Sequence, residues 1–117
     1  MLENIGIGTD IVEINRFIEK PFEKNKIFYQ RIFSESEIKY CLAKKNSAQT
    51  FASKFAMKEA VVKAIKRQID FLDILTEYYD SKPIVRLQDD DSYNFLVSVS
   101  HEKLYAIATV ISEKIPR

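Results

Sequence analysis

The 117-residue sequence contains a single cysteine, two glycines, three prolines and no tryptophan. The lone Cys41 excludes a disulfide bond within the chain, which is typical of proteins in a reducing compartment. No apolar run approaches the roughly 20 residues that a membrane-spanning helix needs. The start of the sequence also lacks a basic segment followed by a long apolar core, the pattern of a secretory signal. We therefore expect a cytoplasmic protein with no membrane partner.

The composition is that of a folded globular protein. Hydrophobic residues make up 46% of the chain and charged residues 30%, values at which global disorder is not expected. The length is sufficient for one domain with its own hydrophobic core. We therefore expect a single domain over residues 1–117.

The net charge of +1 conceals two regions of opposite sign. Residues 16–67 include 13 lysines and arginines against five acidic residues, whereas residues 70–91 include seven acidic residues against two basic ones. The basic half either faces an anionic partner or is a solvated, lysine-rich surface. Nucleic acid is disfavoured as that partner, because the net charge is close to neutral and no nucleic-acid-binding motif occurs.

Residues 51–65 contain no glycine or proline, and their alanine, methionine, lysine and glutamate content suits a helix. Ten of these fifteen residues are apolar and lie on nearly all sides of the helix, so we expect it to be buried. Glu59 lies on the inside of this helix. An inward carboxylate must be paired, hydrogen-bonded or bound to a metal. A pair with Lys63, one turn further on, is the simplest alternative.

The sequence on either side predicts strands and shorter helices. Residues 5–12 alternate as a β-strand does and contain both glycines of the chain, which indicates close approach of another backbone or a ligand. Asp10 would lie at the far end of this strand or cap the helix that follows. Helices are predicted at 13–20, at 22–33 and, after a Ser34–Glu37 capping box, at 34–45, with Ile38, Cys41 and Leu42 pointing inward. A short polar break is predicted at 46–50. After the central helix we expect strands at 73–79, 84–88, 95–100 and 103–113, with turns at 80–83 and 89–92.

This order of elements predicts an α+β fold, in which a mainly antiparallel sheet packs against the long central helix. Polar groups then stand on apolar backgrounds at three places: Asp10 on the first strand, Glu59 with Lys63 on the helix, and His101 after a later strand. Two carboxylates can share Mg²⁺ with phosphate oxygens, and a nearby lysine can neutralise a phosphate. By itself this pattern is weak support for phosphoryl-type transfer.

Three blocks of the sequence resemble the motifs of holo-acyl-carrier-protein synthases, the small bacterial phosphopantetheinyl transferases. Gly6-Ile-Gly-Thr-Asp10 is similar to their first motif. Phe55-Ala-Met-Lys-Glu59-Ala-Val-Val-Lys63-Ala matches their second motif, Phe-Ala-x-Lys-Glu-Ala-x-x-Lys-Ala. Ser98-Val-Ser-His101, followed by Tyr105-Ala-Ile-Ala108, resembles their closing hairpin. The blocks occur in the family's order and extend over essentially the whole chain.

The resemblance implies transfer of 4′-phosphopantetheine from coenzyme A to a serine of apo acyl carrier protein, with release of adenosine 3′,5′-bisphosphate. It implies that Asp10 and Glu59 bind Mg²⁺ and that Lys63 contacts the phosphate on which charge develops. A carboxylate of the metal site or a metal-polarised water would accept the serine proton. The family also forms homotrimers with coenzyme A at the subunit interfaces. The further implied contacts are Lys54, Lys63, Lys66, Ser100 and His101 for coenzyme A, and Arg16, Lys20, Lys24 and Lys26 for the carrier protein.

The sequence departs from the family's pattern at three places. Residues 65–69 contain no glycine where the family usually has a glycine-rich loop, so Lys66 or Arg67 could supply phosphate contacts there. Lys54 stands where arginine is typical, which replaces a bidentate fork by a point charge. Ser81 replaces the more usual glycine in a turn. The missing glycines keep one alternative open, a non-catalytic domain that binds coenzyme A or the carrier protein.

Overall fold

The computed structural model of the protein describes residues 2–116 and has one strand, then helices, then four further strands. Residues 1 and 117, the ends of the predicted domain 1–117, lie outside the described residues. In chain order the helices and strands are β1 (Ile5–Glu13), α1 (Asn15–Ile18), α2 (Lys26–Gln30), α3 (Glu35–Leu42), α4 (Ser47–Ala64), β2 (Ile74–Tyr79), β3 (Lys82–Leu87), β4 (Tyr93–His101) and β5 (Tyr105–Lys114).

The strands form two antiparallel sheets, one of three strands in the order β1-β5-β4 and one hairpin of β2 and β3. In the larger sheet Ile5 is opposite Glu113 and Glu13 is opposite Tyr105. Helix α4 packs on one face of this sheet. The predicted α+β class is therefore confirmed, with the difference that β2 and β3 form a sheet of their own. Within residues 2–116 no helix is long and apolar enough to cross a membrane.

Helix α4 is buried on nearly every side, as its composition predicts. Eleven of its 18 residues are buried, and between Phe51 and Ala60 only Glu59 is not. The helix begins earlier than expected, because the side chain of Asn46 accepts a hydrogen bond from the backbone N–H of Gln49 and caps it. The prediction of a polar break at 46–50 is therefore wrong. Residues 47–50 form the first turn of the helix.

Both glycines of the chain lie where β1 touches α4. A Cβ atom on Gly8 would lie 2.0 Å from the carbonyl oxygen of Ala60, and one on Gly6 would lie 1.7 Å from that of Ala64. No side chain fits at such distances, so only glycine allows the strand and the helix to approach this closely. The close approach that the glycines predict is that of a neighbouring backbone.

The shorter helices differ from the predicted ones mainly in length. The capping box is present: Ser34 N–H donates to Glu37 Oε1 at 2.8 Å and Glu37 N–H donates to Ser34 Oγ at 3.2 Å. Helix α3 ends at Leu42, whose side chain is exposed, so the prediction of an inward Leu42 is wrong. The predicted helix at 13–20 has only four residues and ends at Ile18, so Lys20 lies beyond it.

The hairpin of β2 and β3 turns at Asp80 and Ser81, as predicted. Both residues have positive φ, 49° and 66°, the combination of a two-residue type I′ hairpin turn. Tyr79 and Lys82 pair on either side of it. Ser81 therefore occupies a left-handed conformation in which glycine would be the least strained residue.

Candidate active site

Asp10 lies on the face of β1 that α4 covers. Side chains alternate along a strand, and the neighbouring even-numbered residues Gly8 and Val12 are buried. Asp10 is partly buried and pairs with Ala108 within the ladder, three residues before β1 ends. The prediction that it stands at the strand's end is therefore wrong, and the cap position of α1 is held by Ile14. The strand directs the Asp10 carboxylate towards the helix.

Glu59 lies on α4 close to Asp10. Burial raises the pKa of the Glu59 carboxyl, and the negative charge of Asp10 raises it further, whereas Lys63 and Arg16 lower it. No hydrogen bond or ion pair reaches the Glu59 carboxylate from residues 2–116. Two carboxylates that repel each other in partly buried positions form an environment that favours a bound cation.

Lys63 links the helix to the strand. Its Nζ atom donates to Asp10 Oδ1 and to the carbonyl oxygen of Thr9, each at 3.0 Å. The simplest alternative for Glu59, an ion pair with Lys63, is not formed, because the ammonium group turns to β1. The Lys63 side chain is about half exposed, so it can leave this position when another anion enters.

The two carboxylates fit Mg²⁺ by their chemistry. Mg²⁺ takes oxygen ligands and is usually held by one or two carboxylates, with waters and substrate phosphates at its other positions. Asp10 and Glu59 provide such a pair, and Asp10 raises the pKa of Glu59 because their charges repel. Residues 2–116 contain no group of three or more histidine, cysteine or acidic side chains that could hold a metal. Most ligands would therefore come from water or from a bound phosphate.

Lys54 occupies a position that the resemblance does not predict. Its side chain is 1% exposed, and its Nζ atom donates to the carbonyl and hydroxyl oxygens of Thr76, each at 3.0 Å. The same atom lies between the rings of Tyr40 and Tyr78, 4.8 and 5.1 Å from their centroids. All of these partners are in the same chain, so protein groups hold the Lys54 ammonium group in this conformation, and its predicted contact with coenzyme A stays a prediction. The residue ties α4 to β2.

The other predicted coenzyme A contacts lie at opposite ends of the larger sheet. Lys66 follows α4, donates to the carbonyl oxygen of Glu3 at 3.2 Å, and lines a cavity of about 130 Å³ with Arg67 and Lys114. Ser100 and His101 end β4 at the far side, beside a cavity of about 310 Å³. At about 3.4 Å per residue, the nine residues of β1 separate these ends by about 27 Å. One chain does not bring them together.

The four basic residues predicted to bind the carrier protein are exposed and surround one aromatic cluster. Phe17 and Tyr29 connect its rings, which lie about 5–6 Å apart. Lys24 is exposed in the short turn before α2. The other three lie over rings of the cluster: Arg16 over Phe55 at 5.2 Å, Lys20 over Phe28 at 4.9 Å and Lys26 over Phe22 at 5.9 Å.

Two features of the site could not be found from the motifs alone. Arg16 lowers the pKa of Glu59, so it acts on the carboxylate pair as well as belonging to the basic surface. Lys58 belongs to the second motif but has no implied role, and it is completely buried. The signal for Lys58 was present in the sequence, since a second charged residue beside Glu59 on a buried helix also needs a partner.

Comparison with known proteins gives the same family from sequence and from structure. A model of the 4′-phosphopantetheinyl transferase superfamily matches residues 6–110. The holo-[acyl-carrier-protein] synthase of Clostridium botulinum (strain Alaska E43) is 44% identical, with 94% of this chain and 98% of the relative covered. That of Geobacillus sp. (strain WCH70) is 42% identical, with 95% and 98% covered.

Solved structures agree with these matches. The Helicobacter pylori holo-[acyl-carrier-protein] synthase in complex with coenzyme A superposes with a TM-score of 0.78 at 31% identity, covering 92% of this chain and 99% of that one. The Bacillus anthracis synthase in complex with CoA (3′,5′-ADP) has a TM-score of 0.73 at 34% identity, covering 93% and 96%. By the family match, the extent of the alignments and the shared fold, this chain belongs to the 4′-phosphopantetheinyl transferase superfamily.

Proposed function

We propose that the protein is a holo-[acyl-carrier-protein] synthase, a cytoplasmic enzyme that transfers 4′-phosphopantetheine from coenzyme A to a serine of apo acyl carrier protein. The serine oxygen forms a bond to the phosphorus that bears the pantetheine arm. The pyrophosphate bridge breaks, and adenosine 3′,5′-bisphosphate leaves. The names of the relatives and the coenzyme A bound to two of the solved structures support this reaction.

The observation that carries the proposal is the meeting of Asp10, Glu59 and Lys63 between β1 and α4. The first and second motifs are about 50 residues apart in sequence, yet Lys63 Nζ lies 3.0 Å from Asp10 Oδ1. A partly buried carboxylate pair with one mobile ammonium group is suited to phosphoryl-type transfer, in which positioning and charge compensation carry most of the catalysis.

Asp10 and Glu59 would hold Mg²⁺ in this proposal. When bound, the ion supplies positive charge that offsets the charge of the pyrophosphate. The raised pKa of Glu59 is a consequence of burial and of the charge on Asp10, and a cation would oppose both effects. Lys63 would exchange Asp10 for a phosphate oxygen, since its side chain is half exposed and accessible to an incoming anion.

A homotrimer with shared sites would solve the separation of the coenzyme A contacts. Lys66 lies at one end of β1 and His101 lies near the other, so in a trimer the Lys66 end of one chain beside the His101 end of another would bring both kinds of contact to one ligand. The outer face of the sheet is suited to such contact. Ile7 pairs with Ile111 and Ile11 with Ile107, and these side chains are exposed together with Leu96 beside them. A contiguous exposed apolar surface of this kind typically marks an interaction site.

The basic residues around the aromatic cluster would meet the carrier protein. Acyl carrier protein is the substrate that the relatives' names give, and an acidic partner would be steered by this surface. Lys20, Lys24 and Lys26 extend the positive edge away from the carboxylate pair, whereas Arg16 is coupled to Glu59 through charge. These three lysines are therefore the better test of carrier binding.

Transfer is tested by incubating the protein with coenzyme A, MgCl₂ and apo acyl carrier protein and measuring the intact mass of the carrier. The proposal requires a gain equal to one phosphopantetheine group, and a carrier whose serine is replaced by alanine must not gain it. Binding of coenzyme A and carrier without any mass change would identify the non-catalytic alternative.

Asp10→Asn and Glu59→Gln should each reduce the rate of transfer by roughly a hundredfold or more, because each removes an ionised ligand. The melting temperature should stay unchanged or rise for Glu59→Gln, since burial and Asp10 disfavour the ionised carboxylate. Glu113→Gln, an exposed carboxylate in β5, serves as the control. Near-normal turnover of both variants at saturating Mg²⁺ would show that the pair is no metal site.

Lys63→Ala should lower kcat more than it raises the KM for coenzyme A, because its charge is needed most as negative charge develops on the phosphate. Steady-state kinetics with coenzyme A varied at saturating carrier measure both constants. Lys39→Ala, an exposed lysine on α3, should change neither. An effect limited to the KM for coenzyme A would mean that Lys63 contributes to binding of coenzyme A and not to stabilisation of the transition state.

Lys24→Glu should raise the KM for the carrier protein roughly tenfold and leave the KM for coenzyme A unchanged, because it reverses a steering charge far from the carboxylate pair. Wild-type transfer should also slow as NaCl is raised, and the variant should respond less. Lys44→Glu, a reversal after the end of α3, is the matched control. An equal rise in the KM for the carrier protein with Lys24→Glu and with Lys44→Glu would mean that the carrier protein does not bind at the Lys24 surface.

Ile7→Lys should convert a trimer into monomers, because it puts a charge in the middle of the apolar outer face of the sheet. Ile27→Lys is a matched control, since Ile27 on α2 has the same 67% exposure as Ile7 but lies away from the sheet. Sedimentation velocity at several concentrations reports the assembly. A wild-type protein that is monomeric throughout, or a trimer that tolerates Ile7→Lys, refutes this interface.

A further inference from the structure

Lys58 is a charged residue in the core with no contact to solvent. It lies on α4 immediately before Glu59, and its side chain is 0% exposed. Its Nζ atom donates to Glu37 Oε1 at 2.7 Å and to the carbonyl oxygens of Ile32 at 2.8 Å and Phe71 at 2.9 Å. Three acceptors match the three N–H groups of an ammonium ion. Burial lowers the pKa of Lys58, whereas the charge of Glu37 and its hydrogen bond raise it.

The partner of Lys58 is equally well held. Glu37 is 2% exposed, and its carboxylate also accepts from Ser34 N–H at 2.8 Å and from the N–H and hydroxyl of Thr76 at 2.8 and 2.6 Å. Burial alone would raise the pKa of Glu37, but the charge of Lys58 and these hydrogen bonds hold it below its ordinary value. A fully paired ion pair of this kind is geometrically specific, and loss of one partner is costly.

The contacts of Lys58 and Glu37 lie on the side of α4 away from β1. They join the helix to the start of α3, to β2 and to the backbone at residues 32 and 71. On the β1 side the helix rests on Gly6 and Gly8, which present flat backbone with no side chain to interlock. The glycines therefore set the distance between helix and strand. On this side the helix is also held by Lys63, which donates to Asp10 and Thr9, and by Ser112 Oγ, which donates to the carbonyl oxygen of Ala64; the ion pair of Lys58 and Glu37 is the buried charged anchor on the opposite side.

The direction of Glu59 depends on the rotation of α4 about its axis. Consecutive residues of a helix are turned by about 100° about the helix axis. Anchoring the Lys58 side chain therefore also fixes the direction in which the next side chain, Glu59, leaves the helix. A rotation of α4 by even a fraction of a residue step would move the Glu59 carboxylate relative to Asp10, which β1 holds in the sheet ladder.

We propose that Lys58 is a positioning residue: through its buried ion pair with Glu37 it sets the rotation of α4 and so holds Glu59 in register with Asp10 for metal binding. The inference rests on the proposed function for the identity of the bound ion. Lys58 itself contacts neither metal nor substrate. Residues that orient metal ligands typically affect metal affinity by 10–100-fold when they are replaced.

The test is the double variant Glu37→Gln/Lys58→Met, which removes both charges and so avoids leaving one of them buried and unpaired. Mg²⁺ binding to the protein with coenzyme A present is measured by isothermal titration calorimetry at a temperature where every variant is folded. We expect the dissociation constant for Mg²⁺ to rise by about tenfold or more, and the rise in melting temperature that Mg²⁺ and coenzyme A produce together to become smaller.

Val61→Ala is the matched control. Val61 is buried on the same helix and makes no polar contact, so its truncation lowers stability without releasing the rotational anchor. We expect Mg²⁺ affinity to stay within about twofold of the wild type. Equal loss of affinity in Val61→Ala and in the double variant, at matched stability, would make Lys58 merely structural and overturn the inference.

Thr76→Val keeps the inference testable if the double variant does not fold. It removes the hydroxyl that donates to Glu37 Oε2 and accepts from Lys54 Nζ, while Lys58 and Glu37 stay in place. It should weaken Mg²⁺ binding by an intermediate factor. Unchanged Mg²⁺ affinity in a folded double variant, or failing that in Thr76→Val, overturns the inference. The proposed function fails separately, if wild-type protein binds Mg²⁺ with coenzyme A but never modifies the carrier.

Discussion

The contact between α4 and β1 is the constraint on which the rest of the structure depends. Backbone atoms of the helix lie where Cβ atoms of Gly6 and Gly8 would be, so the two elements touch without intervening side chains. Just beyond this contact Asp10 and Lys63 approach to 3.0 Å. A larger residue at Gly8 would push the helix outward, which typically costs about 1–3 kcal/mol. It would also separate the carboxylates that the site requires.

The opposite side of α4 is held by polar contacts rather than by apolar packing alone. Lys54 and Lys58 lie one turn apart, are both buried, and reach β2 and Glu37. Glu59 and Lys63 also lie one turn apart, on the side that faces β1 and Asp10. The same helix thus carries two pairs of charged residues that differ in how completely the protein provides their hydrogen-bond partners. The ammonium groups of one pair are hydrogen-bonded by protein groups, whereas the other pair includes a carboxylate that residues 2–116 leave without a hydrogen bond or ion pair.

Much of this could be predicted from the sequence, because the informative signals are local. The apolar residues on nearly all sides of 51–65 and the Ser34 capping box each have one physical explanation, and the structure agrees with both. The two glycines left a backbone or a ligand as the neighbour, and the structure has a backbone there. The motifs also identified the residues that meet at the site. The contact between Lys63 and Asp10 was not predictable, since local spacing favours Glu59, four residues away, over a residue 53 positions distant.

The errors share a cause, which is that a residue type does not reveal its surroundings. Leu42 reads as a core residue, but α3 ends there and leaves it in solvent. The polar run at 46–50 reads as a break, although Asn46 caps a helix. Each outcome depends on tertiary neighbours that are distant in the sequence.

The placement of both glycines in β1 also has a consequence for the unfolded chain. Every loop and turn within residues 2–116 after β1 is built from residues with a side chain, and only Asp80 and Ser81 adopt positive φ. Residues other than glycine have fewer backbone conformations to lose on folding, an advantage of about 0.4–1 kcal/mol at each compatible position. The glycine-poor loops therefore make the denatured state less disordered, and folding loses correspondingly less conformational entropy.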